Sequence, residues 1–281
     1  MTQNMSSDVV GNFQPLDSQE TRFAVIRELW GYRELFFFLA WRDIKVRYKQ
    51  SILGVLWAVI QPLATMVIFT LVFGQLANIP TDGIPRPVFY FSALLPWTYF
   101  SSTLGAVSMS LVSNSNLLTK IYFPRLILPA AACISGLLDF FIGSVLLAGF
   151  IVYYELPIGW PLLLWPLLVI PLVLITFGVG SFLATLNVKY RDVKHAIPFL
   201  IQLGLFLTPV IYPTSVFPEA YRGLLALNPL TAVIELFRYA LVPATTIHWE
   251  TIGVSIGVLF VILPAGVWYF RRSEESFADI V

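Results

Sequence analysis

The sequence predicts an all-α polytopic membrane protein with six transmembrane helices, an N-terminal amphipathic interfacial helix and short re-entrant gate helices between spans five and six. Three observations carry this reading. Of 281 residues, 58% are hydrophobic and 12% charged, and a soluble domain carries about 25% charge. The charges are bunched between long apolar stretches that show no alternation at every second residue, which a membrane-spanning β-barrel would require. Fourteen of the 17 Lys and Arg fall on one side of the alternating spans, the asymmetry that marks the cytoplasmic face.

The elements follow in order. The first twenty residues are rich in Gln, Ser, Asn and Asp. They lack the basic start and apolar stretch of a cleaved signal peptide, and are expected to be a retained polar tail in the cytoplasm. Residues 21–50 are expected to form an amphipathic interfacial helix and a basic elbow. There Glu20, Arg27 and Glu34 recur every seven residues, while Phe23, Ile26, Trp30, Leu35 and Phe37 to Leu39 supply apolar surface.

Residues 51–281 are expected to be the six-span transmembrane domain. Crossing about 30 Å of hydrocarbon takes about 20 helical residues. Charge-free stretches run from Gln50 to Thr81, Pro87 to Thr119, Leu156 to Val188, His195 to Pro218 and Thr251 to Phe270, and Leu126 to Tyr154 holds one acid, Asp139. The expected spans lie near 53–76, 89–112, 127–152, 162–186, 196–212 and 251–270. An even count, with Lys and Arg concentrated before span one and after spans two, four and six, places both termini in the cytoplasm, including the tail 271–281.

Residues 213–248 are broken by Pro213, Pro218, Asn228-Pro229 and Pro243. Their helical stretch, Leu230 to Val242, reaches only about 20 Å. Two short helices meeting at Asn228-Pro229 would therefore enter the outer leaflet and return. Glu235 and Arg238, three positions apart, can share a face. The residues alone leave open a gate pair or a solvated surface pair.

The chain contains no G-x-x-x-x-G-K-[ST] phosphate loop, no H-E-x-x-H and no G-x-S-x-G, so neither an energy source nor a catalytic centre is expected. A formal charge of +1 gives no overall field for nucleic acid. One cysteine, Cys133, and two distant histidines, His195 and His248, point to no disulfide and no metal site. Asp139 is the one acid within the spans, and it fits either a translocation path or a hydrogen bond to a neighbouring helix.

Aromatic residues make up 15% of the chain. Sugar rings stack their apolar C–H faces on aromatic rings, so Phe89, Trp97, Tyr99, Phe140 and Tyr212 are candidates for a lining along which a glycan slides. Collection of Trp and Tyr at membrane interfaces is the competing explanation. Gly143, Ser144, Gly178, Gly180 and Ser181 are expected to let helices approach closely. Two similar tetrads, Val46-Arg47-Tyr48-Lys49 and Val188-Lys189-Tyr190-Arg191, precede spans one and five and fit a duplicated element or a shared membrane-edge composition. The segment Ser113 to Arg125 is a polar knuckle, where Asn and Ser cap a helical turn that Pro124 ends.

A further pattern runs through the whole chain from about Leu29. The run from Arg42 to Gly54, RDIKVRYKQSILG, is followed by Trp57 and Gln61-Pro62-Leu63. It resembles the amino-terminal signature of the permease subunits of polysaccharide-export ATP-binding-cassette transporters. Leu95-Pro96-Trp97, Asn116 to Lys120 with Phe123-Pro124-Arg125, Tyr190-Arg191-Asp192, Asn228-Pro229 with Arg238, and Glu275 to Asp279 match in order. The resemblance implies that two copies of this chain form a channel, with two copies of a separate cytoplasmic nucleotide-binding ATPase subunit, carrying ATP and Mg, bound beneath. It also implies a lipid-linked glycan as substrate (O-antigen, capsule or teichoic acid), moved across a bacterial cytoplasmic (inner) membrane.

A contact that transmits force must lie on the cytoplasmic side and be tied to span ends. That selects Asn116, Lys120, Tyr122 and Arg125, then Tyr190, Arg191 and Asp192, and Arg42 and Arg47. Gate residues are expected at Asn228, Pro229, Glu235 and Arg238. A rival within the superfamily is efflux of a drug or lipid. A membrane-embedded glycosyl- or acyltransferase would need clustered acids or histidines, and Asp82, Glu155, Glu219, Glu235, Glu250 and His248 are scattered in sequence.

Overall fold

The computed structural model describes residues 30–49, 54–120, 122–190, 192–242, 248–274 and 277. The polar tail, residues 21–29 of the expected interfacial helix, and Arg191 lie outside them. Every regular element among the described residues is helical. Helix α1, Arg33–Lys49, has Glu34 in its first turn and Arg47 and Lys49 in its last, each sign placed to favour the helix dipole. It buries Leu39 and Ala40 and leaves Phe37, Phe38, Trp41 and Val46 exposed. After a 3-10 turn at Gly54–Leu56 comes α2, Trp57–Leu76, whose last seven residues widen into a π-helix. A turn with Asp82 and Gly83 both at positive φ reverses the chain, a conformation that Asp tolerates and Gly adopts freely.

Helix α3, Arg86–Ser113, forms the axis of the molecule. Pro87 sits in its first turn, where the missing N–H costs nothing. Residues 88–97 are buried without interruption, because α3 packs against α2, α5 and α6 along its length. Its buried hydroxyls are partly satisfied within the helix: Ser92 donates to the Phe89 carbonyl and Ser108 to Gly105. The chain continues through α4 (Ser115–Lys120) and α5 (Ile127–Tyr153). A 3-10 turn at Trp160–Leu164 leads into α6 (Trp165–Lys189), which is followed by α7 (Val193–Leu207). Two short helices, α8 (Glu219–Ala226) and α9 (Pro229–Leu241), precede α10 (Trp249–Ser273).

Among the described residues, four helical stretches are long and apolar enough to cross a membrane: Trp57–Leu76, Ile127–Tyr153, Trp160–Lys189 and Trp249–Ser273. Helix α3 has the length, about 42 Å at 1.5 Å per residue, but is less apolar and lies enclosed by its neighbours. Helix α7 has 15 residues and reaches about 22 Å. The expected fifth span ran on to residue 212; the helix instead stops at Leu207. Thr208 turns extended (φ −104°, ψ 141°), its hydroxyl donating to the Gly204 carbonyl at 2.7 Å and accepting from the Asn228 amide at 2.8 Å.

Helices α6 and α10 meet backbone to backbone. A Cβ on Gly266 would lie 2.1 Å from the Gly178 carbonyl oxygen, and one on Gly178 would lie 2.9 Å from Leu263 Cα. Only glycine fits at this crossing. Side chains along the bundle form two main cores. One runs from Ile84 through Leu104 with Phe140, Trp97 and Phe237. The second, at the other end, gathers Leu39, Leu111, Leu118, Phe123, Ile127, Val188, Phe270 and Phe277. Helix α3 threads both cores.

Candidate functional site

The second core carries the basic end of the molecule. Helix α3 ends where Asn114 donates its side-chain amide to the Ser110 carbonyl at 2.8 Å. The short α4 then drives Leu118 into the core, and Phe123 follows it. With these two anchors inside, Asn116, Lys120 and Tyr122 point outward; Tyr122 is 90% exposed. The result is a rigid knob on two apolar pegs. Arg125 is half-buried behind it: its backbone N–H donates to Glu274 at 2.9 Å, and its guanidinium lies 5.9 Å from the Phe277 ring centre. Tyr190 and Asp192, in the turn between α6 and α7, are exposed at the same end. Lys189 beside them donates to the Ser273 hydroxyl at 2.9 Å.

Arg42 and Arg47 have different surroundings from that knob. Arg42 is bound to Asp43 of its own helix, with contacts of 2.8 and 3.0 Å. Arg47 pairs with Asp139 of α5 at 2.5 Å, and the Tyr48 hydroxyl donates to the other carboxylate oxygen of Asp139. Asp139 lies twelve residues into α5, about 18 Å along its axis. Helix α1 therefore runs along the flank of α5 and delivers a cation to the acid there. The two look-alike tetrads diverge at this point. Tyr48 is bonded to Asp139, whereas Tyr190 is 62% exposed.

The aromatics expected on a path are placed inside the chain. Phe89, Trp97, Tyr99 and Phe140 are all buried. Phe140 packs against Tyr99, Trp165 and Phe237, with ring centres 5.9 to 6.5 Å apart. The reason is the enclosure of α3 and the inward face of α5, which leave these rings no open surface in one chain. Tyr212 is half-buried, and its hydroxyl donates to the Phe206 carbonyl.

At the opposite end, Asn228 accepts from the Leu230 N–H at 3.1 Å and so caps α9, with Pro229 as the first helical residue. Glu235 and Arg238 share α9 without an ion pair within 4 Å. Each is tied instead to the strap between α7 and α8. Glu235 accepts from the Thr214 hydroxyl. Arg238, 4% exposed, donates to the carbonyls of Val210 at 2.9 Å and Tyr212 at 3.4 Å, and its guanidinium carbon lies 3.7 Å from the Phe89 ring centre. Ser215 of the strap donates to Asp82, and Ser255 of α10 donates to the Ala226 carbonyl at the α8–α9 junction. The Arg238–Phe89 stack spans 149 positions of sequence and has no local signal. Phe277 likewise shows only as an aromatic in the final signature.

Four long apolar helices, packed with α3 buried among them, define an integral membrane protein. Comparison with known proteins makes the class specific. The chain belongs to the ABC-2 type transporter family, whose model matches residues 34–242. It is 32% identical over 260 residues to the O-antigen export system permease protein RfbA of Myxococcus xanthus, covering 92% of this chain and 99% of that protein. An RfbA of the same description from Klebsiella pneumoniae is 29% identical over 246 residues, 85% of this chain and 92% of that protein. The polysialic acid transport protein KpsM of Escherichia coli is 27% identical over 251 residues, 84% and 92% respectively. The chain is thus a transport subunit rather than an enzyme.

Proposed function

We propose that two copies of this chain form the channel of an exporter that carries a lipid-linked glycan outward across a bacterial inner membrane. ATP and Mg are bound by two copies of a separate ATPase subunit. The relatives named for O-antigen export and polysialic acid transport, aligned over most of both chains, support the substrate class. The six passes are α2, α3, α5, α6 with its preceding turn, α7 completed by the extended strap that follows it, and α10, and the positive-inside asymmetry favours both termini in the cytoplasm. Helices α8 and α9 dip into the outer leaflet as the outer gate, with Asn228 and Pro229 at its hinge and Glu235 and Arg238 holding it to the strap 208–215. The buried Phe89, Trp97, Tyr99 and Phe140 stiffen the wall behind the path, and Tyr212 borders it.

The observation that carries this reading is the knob at the basic end. Two buried pegs, Leu118 and Phe123, hold Asn116, Lys120 and Tyr122 outward. It is a stiff, cationic contact tied to the ends of α3 and α5, suited to receive force from a soluble partner. Tyr190 and Asp192 extend the same surface. The test is co-purification with the neighbouring ATPase subunit. The chain alone should hydrolyse no ATP and the complex should. Lys120→Glu should weaken association or uncouple hydrolysis from export while the protein still inserts. Hydrolysis by the pure chain, or normal export by the Lys120→Glu variant with unchanged ATPase binding, overturns the reading.

A further inference from the structure

We infer that Glu274 and Phe277, beyond the end of α10, act as a clamp that fixes the ATPase-facing knob to the last helix, and that these two are positioning residues for energy coupling. The inference rests on the transport reading above but goes beyond it. Phe277 is fully buried, and its ring meets Phe270 of α10 edge-on at 5.2 Å. It closes a core to which α1 contributes Leu39, α4 contributes Leu118, the start of α5 contributes Ile127 and the end of α6 contributes Val188. These contributors include the elements that flank every cytoplasmic contact proposed for the ATPase.

Polar contacts repeat the pattern. Glu274 accepts from the Arg125 backbone N–H at 2.9 Å, where the knob joins α5. The Arg125 guanidinium lies over the Phe277 ring. The residue just before Glu274, Ser273, accepts from Lys189 at the end of α6, and the Lys189 ammonium is 5.0 Å from the centre of the Tyr269 ring. The last turn of α10 thus holds both the knob and the α6–α7 turn.

Packed cores have discrete arrangements and do not deform continuously. A push on the knob therefore moves α10 only as long as Phe277 fills the space between them. Without that ring the knob can tilt on its own. The partner would still dock and hydrolyse ATP, but the motion would not reach the far end of the bundle, where α10 is bonded through Ser255 to the α8–α9 junction.

The test uses the full complex with its ATPase subunit and reads glycan exported per ATP hydrolysed, with the amount of complex in the membrane measured in parallel. Phe277→Ala should keep ATPase binding and basal hydrolysis and lower export per ATP by about threefold, within the range seen for residues that carry coupling. Phe277→Leu should restore most of it. Should Phe277→Ala fail to accumulate, Glu274→Ala removes the bond to the Arg125 amide and should give a smaller fall in the same ratio. An unchanged ratio in both variants overturns the clamp, as does a loss of export and hydrolysis in proportion to the amount of complex. A wild-type complex that binds no ATPase or exports no glycan overturns the transport reading itself, which separates the two failures.

Discussion

Replacing Arg238 tests what holds the outer end of the molecule. In Arg238→Met the apolar stem and most of the volume remain, so the cavity and strain cost stays below about 1.5 kcal/mol. Three contacts go. The stack on Phe89 at 3.7 Å is desolvated and is worth about 2 kcal/mol. The bond to the Val210 carbonyl at 2.9 Å has a charged donor and is worth roughly 1.5–3 kcal/mol. The 3.4 Å contact to the Tyr212 carbonyl adds little. Against these, the variant no longer desolvates a guanidinium, which returns several kcal/mol. The terms leave a net loss on the order of 2 kcal/mol, or about 3–4 °C in the midpoint of thermal unfolding for a chain of this size. Arg238→Lys should be less stable than Arg238→Met. It keeps the buried charge but has no planar fork to stack on Phe89 while reaching two carbonyls. The assay is thermal unfolding of the detergent-purified protein. A Lys variant as stable as the wild type would show that charge alone suffices, and a Met variant more stable than the wild type would remove the stacked guanidinium from the forces holding this end together.

Two further predictions use other parts of the structure. Gly266→Val would drive a side chain into the Gly178 carbonyl, 2.1 Å from the new Cβ, and should cost on the order of 4 kcal/mol or more; extraction of monodisperse protein at the wild-type level would contradict this. Burial pushes the Glu235 carboxyl, on a helix too short to cross the membrane, from an ordinary 4.5 up to about 7, with Arg238 and Arg222 pulling it down and Asp82 pushing it up. The folded chain then holds a proton that the unfolded chain has lost between those values, so this group's stabilising effect is full below pH 4.5 and is lost as pH rises through 7. The unfolding midpoint should fall over that window in the wild type and fall less in Glu235→Gln, and identical pH profiles would contradict the assignment.

Much of the helix layout was legible because a bilayer tolerates few charges. Between Arg86 and Lys120, or between Glu155 and Lys189, the absence of Asp, Glu, Lys and Arg locates a long helix without any knowledge of its neighbours. The early end of α7 was not legible, since Thr208 reads as one more small residue until Asn228, twenty positions on, supplies its partner. The short helices met at Asn228-Pro229, where cap and proline sit side by side in sequence. Their polar partners did not show, because Glu235 and Arg238 look like a pair at helical spacing and are instead bonded to the separate strap at 208–215. The same limit governs the aromatic residues. Composition counts rings; enclosure of α3 by three neighbours decides that Phe89 and Trp97 face inward.

The Arg47–Asp139 pair joins residues 92 positions apart. At a synthesis rate of about 5–20 residues per second, Arg47 is synthesised roughly 5–20 s before Asp139 exists. During that interval the basic helix α1 has no acid of its own to meet, and the anionic lipid surface, worth about 1 kcal/mol per nearby Lys or Arg, is the counter-charge at hand. The emerging α5 then carries an unpaired carboxylate into an apolar environment, and its settling there depends on α1 having waited alongside. On the proposed topology, order of synthesis becomes a condition of insertion: α1 would serve as a berth for α5, and shortening or delaying α1 should be felt at Asp139 before any glycan or nucleotide is involved.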